Sequence, residues 1–122
     1  MNAIKALVDG TIELVEFDND NSYETIRDAV VGPFDCIAFP TLGVDMWIND
    51  EGKINGLELN VFATALFVTE YGYEDIVCGD VLITGGPDSE GRTLGLTDEQ
   101  GQAVIDTVVA EVKRAVESIN PS

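Results

Sequence analysis

The stretch that most restricts what this chain can become runs over residues 44–71. A half-buried strand, a tight acidic turn and an almost wholly apolar helix follow one another there. In Val44-Asp45-Met46-Trp47-Ile48-Asn49 the even positions are apolar, and this period-2 alternation predicts a strand with one face on a core. Asn49-Asp50-Glu51-Gly52 supplies turn residues, with Gly52 suited to the φ > 0 position that closes such a turn. Asn60 is a good N-cap for the following run Val61-Phe62-Ala63-Thr64-Ala65-Leu66-Phe67-Val68-Thr69, which carries no charge before Glu70. A helix without a polar face is normally buried, which places this one under a sheet or against a second subunit.

The remaining elements are arranged around that centre. Two strands, over 3–8 and 11–17, flank Asp9-Gly10, a strong hairpin signal. A short helix over 23–31 follows, capped by Ser22 or Asn21. Asn21 with Glu24 resembles a capping box, and Gly32-Pro33 stops the helix. Residues 34–39 read as a third strand, antiparallel to the strand over 44–49. A fifth strand over 77–84 is interrupted near Gly79-Asp80, where a bulge fits. Residues 85–95 form a polar loop. The last helix, over 98–119, opens with the capping box Thr97-Asp98-Glu99-Gln100 and ends at Asn120-Pro121. Its apolar stripe is Val104, Ile105, Val108, Val109, Val112 and Val116, which either covers the sheet or forms a dimer seam. The order β-β-α-β-β-α-β-α predicts a single α+β domain over 1–122. Its sheet is mostly antiparallel, of about five strands, with two or three helices packed on one face.

Charge limits the functions open to such a domain. The 122 residues hold 23 acids, 6 bases and no histidine, for a net charge of −17. That field disfavours direct contact with nucleic acid or anionic lipid and favours basic surfaces or cations. The same composition also serves as adaptation to high salt. Without histidine, imidazole bases and nucleophilic triads are excluded. Cys36 and Cys78 lie far apart in apolar runs, where buried inert thiols are expected rather than a metal pair or redox motif. Lys5, Asp9, Glu13 and Glu16 interrupt any signal peptide, and no apolar run reaches the ~18–20 residues of a membrane span, so a cytoplasmic protein is expected.

Several motifs invite chemistry and fall short of it. Asp18-Asn19-Asp20-Asn21-Ser22 begins like a calcium loop but has Tyr23 where glycine is needed and Ala29 where glutamate is needed. The segment Thr84-Gly85-Gly86-Pro87-Asp88-Ser89-Glu90-Gly91-Arg92 is glycine-rich, yet it lacks the phosphate-binding lysine and carries acids that would repel phosphate. Arg92 is positioned to pair with one of them. No cofactor is implied. Trp47 shares a strand face with Asp45 and Asn49, so it is either core beneath a second helix layer or an exposed anchor ringed by acids. Glu13, Glu16, Asp18 and Asp20 line the second strand and its exit, and Asp98, Glu99, Asp106, Glu111 and Glu117 mark the last helix. Same-side residues on a strand repeat every ~6.6 Å, about two phosphate steps of duplex, so such a face can imitate a nucleic-acid backbone. The plainer reading is a solvated acidic surface.

Four segments carry a resemblance to a known family. They are Lys5-Ala6-Leu7-Val8; Trp47-Ile48-Asn49-Asp50-Glu51-Gly52-Lys53; Asn60-Val61-Phe62-Ala63-Thr64-Ala65-Leu66; and Gly79-Asp80-Val81-Leu82-Ile83-Thr84-Gly85-Gly86-Pro87 with Leu94-Gly95-Leu96-Thr97. Together they resemble a family of small, functionally uncharacterised proteins encoded by bacteriophages, plasmids and actinobacterial-type genomes, over roughly residues 4–100. The resemblance implies an accessory protein of a mobile element in the host cytoplasm and supplies no catalytic residues. In charge and size alone the chain is also similar to acidic anti-restriction proteins that mimic DNA. The leading expectation is therefore a non-enzymatic protein that binds a basic host protein through Glu13, Glu16, Asp18, Asp20, Asp45 and Trp47. Two alternatives stand beside it: a small-molecule sequestering protein or enzyme with a pocket beside the helix over 60–71, and a homo-oligomer built on apolar helix faces.

Overall fold

A computed structural model describes residues 2–52 and 55–119; the expected helix stop at Asn120-Pro121 lies outside them. Strands β1 (Asn2–Ala6) and β2 (Ile12–Glu16) form the N-terminal hairpin. Its connection is wider than a two-residue turn, closed by Leu7 N–H donating to the Thr11 carbonyl at 2.9 Å. Helix α1 (Ser22–Val30), strands β3 (Phe34–Phe39) and β4 (Val44–Asn49), helix α2 (Val61–Tyr71), strand β5 (Val81–Gly85) and helix α3 (Asp98–Ile119) follow. The sheet order is β2-β1-β5-β4-β3 with every neighbouring pair antiparallel, so the chain is a single α+β domain with its last strand at the centre. All five residues of β5 are buried, which follows from having both faces covered.

That double cover corrects the expectation of helices on one face. Ile4, Met46, Val81 and Ile83 pack with Ala63 and Leu66 of α2 and Val104 and Val108 of α3. On the opposite face Ala3, Leu82 and Phe17 pack with Ile26 and Ala29 of α1. In the sequence pattern of β4 the second face looks polar, because Asp45 and Asn49 flank Trp47. The neighbouring strands nevertheless contribute apolar residues to that face, and α1 needs somewhere to bury its own stripe.

Asn60 positions α2. Its Oδ1 accepts from Ala63 N–H at 2.9 Å, the expected N-cap, and its Nδ2 donates to the carbonyls of Ala6 at 3.0 Å and Gly79 at 2.9 Å. The same region shortens β5. Asn60 N–H donates to the Val77 carbonyl and Gly79 N–H to the Glu58 carbonyl. Residues 77–80 therefore pair with the approach to α2, through a bridge between Leu59 and Cys78, and not with the sheet. No bulge forms; Gly79 turns the chain with φ +88°. Gly52 does not take a positive φ. A Cβ there would stand 3.0 Å from the Cys78 carbonyl oxygen, so glycine is needed for close approach.

Helix ends divide similarly. At α3 the capping box forms as expected, with Thr97 Oγ1 accepting from Gln100 N–H at 3.1 Å and Gln100 Oε1 accepting from Thr97 N–H at 3.0 Å. At α1 Asn21 makes no side-chain cap. Asp18 instead accepts from Asp20 N–H at 2.9 Å and caps a 3-10 turn, Asn19–Asn21, that leads into the helix. The helix ends on Val31 in the left-handed region at φ 60°, ahead of Gly32.

Candidate binding surface

The sequence-derived residues divide into three places. Glu16, Asp18 and Asp20 meet at the exit of β2, where with Phe17 and Asn19 they line an open cleft of about 600 Å³ shared with Arg92. Phe17 is buried in the α1-side core and holds the acidic segment against the body. Asn19 Oδ1 accepts from Gly95 N–H at 3.3 Å, which ties the segment to the loop before α3. All three acids are exposed, and Asp18 is in addition held by the hydrogen bond it accepts from Asp20 N–H.

Arg92 is the residue that sequence reasoning did not place here. It reaches the cleft from a tight turn in which Asp88 Oδ1 accepts from Glu90 N–H at 2.8 Å and Arg92 N–H at 2.9 Å. Asp88 Oδ2 accepts from Arg92 Nε at 3.0 Å. The Arg92 backbone N–H, with further help from the Glu90 N–H and the guanidinium, holds the Asp88 carboxyl below its ordinary pKa. Arg92 is thus committed to its own turn, and the cleft presents three acids to one already paired cation.

Asp45 and Trp47 occupy the α1-side face of β4. Trp47 is half-buried: Phe34 meets it edge-on at 5.5 Å between ring centroids, and Nε1 donates to Thr84 Oγ1 at 3.0 Å. It is a wall of the α1-side core, not a free anchor. Burial pushes Asp45 above its ordinary pKa, opposed by the Cys36 thiol donating to it. Burial, reinforced by the charges of Asp45 and Asp35, pushes the Cys36 thiol up to about 12, so it is a poor nucleophile.

Glu13 falls between the two groups. It pairs with Lys5, Lys5 with Leu82 and Leu82 with Trp47, which puts Glu13 and Trp47 in one cross-strand row about 14 Å apart over three strand spacings. Because side chains alternate, Glu13 and Glu16 point to opposite faces of β2, and no one-sided ladder of acids runs along that strand.

Among the described residues, no group of three or more Cys, Asp or Glu side chains is arranged to hold a metal ion. No helix among them is long and apolar enough to cross a membrane.

These features define a small α+β protein whose five-stranded antiparallel sheet is covered by helices on both faces, with an acidic cleft at one end of an edge strand. Residues 1–109 match the model of a domain of unknown function, DUF3846, and the chain belongs to that family. No curated protein and no solved structure matches it.

Proposed function

We propose that this protein is a non-enzymatic binding protein that engages a basic protein partner through the cleft at the end of β2. The observation that carries this reading is the convergence of Glu16, Asp18 and Asp20 on one open concavity whose single cation is already paired. A cluster of like charges on a fixed backbone attracts a complementary surface at long range and keeps its field on binding, because little ordering remains to be done. Lys- and Arg-rich surfaces, nucleic-acid-binding proteins among them, are the chemistry this cleft suits. The resemblance to phage and plasmid proteins extends the reading to an accessory protein of a mobile element that occupies a host nucleic-acid-binding or defence protein as a nucleic-acid mimic.

Affinity capture from host lysate, washed from low salt to ~0.5 M, tests this proposal; at that ionic strength the screening length falls to roughly 4 Å and field-driven contacts are lost. Wild type should retain a basic protein that elutes within that window. The triple variant Glu16→Lys, Asp18→Asn, Asp20→Lys, in which asparagine can still cap the turn, should retain none of it while keeping the wild-type circular dichroism spectrum. Equal retention by the folded triple variant would remove this cleft from the account.

A further inference from the structure

The second half of α3 leaves a row of apolar side chains uncovered. Val109, Val112, Val116 and Ile119 are exposed by 58, 40, 58 and 84%. Their 3-4-3 spacing is that of a two-helix seam. Val104 and Val108, at the edge of the same stripe nearer its N-terminal end, are the valines buried against α2 and the sheet. The apolar stripe of the helix is therefore broad: its first half, with Ile105, packs on the core, and its second half is left open. Alongside the open row a groove of about 340 Å³ runs between α2 and α3, with Leu59, Val61 and Ile76 on its α2 side, all three exposed.

Charge selects the occupant. The chain as a whole carries −17, yet residues 102–119 contain three acids, Asp106, Glu111 and Glu117, and two bases, Lys113 and Arg114, for a local net charge of −1. Arg114 and Glu111 are themselves paired at 2.6 Å. Two copies of so acidic a molecule repel over most of their surface, and this nearly neutral face is where they can meet. A basic partner is instead drawn to the acids at the end of β2. Complementarity selects the orientation. In an antiparallel pair with Val109 of one copy opposite Val112 of the other, Asp106 of each copy lies beside Lys113 of the other. A parallel pair would set those charges against Gly101 and Val108, which have none to offer.

We propose that the protein is a two-fold symmetric homodimer in which the α3 helices of two copies pack antiparallel along Val109, Val112 and Val116. Sedimentation equilibrium of the full chain should give twice the protomer mass of 13.1 kDa, in a range of ~1–100 µM expected of a modest interface. Raising salt should tighten the dimer, because it screens repulsion between two acidic bodies; binding at the acidic cleft weakens under the same change, so the two proposals fail separately. Val109→Asp with Val116→Asp should give a monomer with an unchanged circular dichroism spectrum. Lys113→Glu should weaken association by about tenfold, since two ion pairs become repulsions. Adding Asp106→Lys should restore it. A monomer at ~100 µM in ~0.5 M salt overturns the proposal, whether or not the groove then takes an apolar ligand or another protein. Failure of Asp106→Lys to restore a dimer weakened by Lys113→Glu overturns the antiparallel pairing.

Discussion

The side-chain amide of Asn60 donates to the backbone carbonyl of Gly79 at 2.9 Å, joining the start of α2 to the turn that feeds the central strand. The same amide reaches Ala6 at the end of β1, and the whole side chain is buried. One residue thus caps a helix and fastens two strand ends, all away from water.

Asn60→Ala should therefore cost about 3 kcal/mol or more, the sum of a lost N-cap and two lost buried hydrogen bonds. Asn60→Asp keeps the cap but turns an oxygen toward two carbonyl oxygens. It should be at least as damaging at neutral pH and should recover part of the loss in acid, where the protonated carboxyl donates to one carbonyl. Urea denaturation of each variant beside wild type, at neutral and acid pH, measures both effects. A loss under ~1 kcal/mol for Asn60→Ala, the typical value of a lone cap, would show that the strand contacts contribute nothing.

Two glycines should respond to alanine with opposite signs. A Cβ on Gly85 would lie 2.6 Å from the Gly95 carbonyl oxygen and 3.2 Å from that of Leu94, both backbone atoms of the loop that enters α3. Gly85→Ala should cost about 1–3 kcal/mol as that loop is pushed off the sheet. Gly101 lies in the first turns of α3, and a methyl group added there would meet nothing within 4 Å. Gly101→Ala should add about 0.5–1 kcal/mol by removing the conformational entropy of glycine from a helix. Thermal melts of the two variants rank them directly, and a destabilising Gly101→Ala would refute the helical argument.

Features set by nearby residues are legible in the sequence. The Asn60 cap and the Thr97–Gln100 box involve groups three positions apart, and composition at that spacing is enough to read them. Features set by distant chain are not. Gly52 reads as a turn former because its true constraint, the Cys78 carbonyl, arrives from another segment. Residues 77–80 read as strand, yet Asn60 and Glu58 take their backbone hydrogen bonds. The valine at the left-handed end of α1, a β-branched residue where glycine or asparagine is usual, has no local signal at all. The acids at the β2 exit are legible as a cluster because they lie close together in the chain. Their separation from Asp45 and Trp47, and the arrival of Arg92, depend on sheet order and on the loop over 86–95.

Asp45 should make stability depend on pH in a direction unusual for a carboxylate. Burial raises its pKa in the folded protein above the ordinary value of 3.8, against a smaller lowering by the Cys36 thiol. The folded state therefore holds this proton more tightly than the unfolded one, so its contribution is fully favourable below pH 3.8 and is lost as pH rises through the folded pKa. Asp45→Asn removes the buried charge while its side-chain oxygen still accepts from the thiol. At neutral pH the variant should be the more stable by up to about 1 kcal/mol, or roughly 4 °C in melting temperature, a modest figure because the site is partly solvated. The difference should shrink as the pH of paired melts is lowered toward 3.8. The thiol gives a second readout. Asp45 is one of the charges holding Cys36 near 12, so with Cys78 replaced by serine the alkylation of Cys36 at pH ~9 should be faster in Asp45→Asn, although burial keeps it slower than a free thiol. A variant less stable than wild type at neutral pH, with Cys36 no more reactive, would mean that the Asp45 carboxylate is held by favourable contacts and is not stranded by burial.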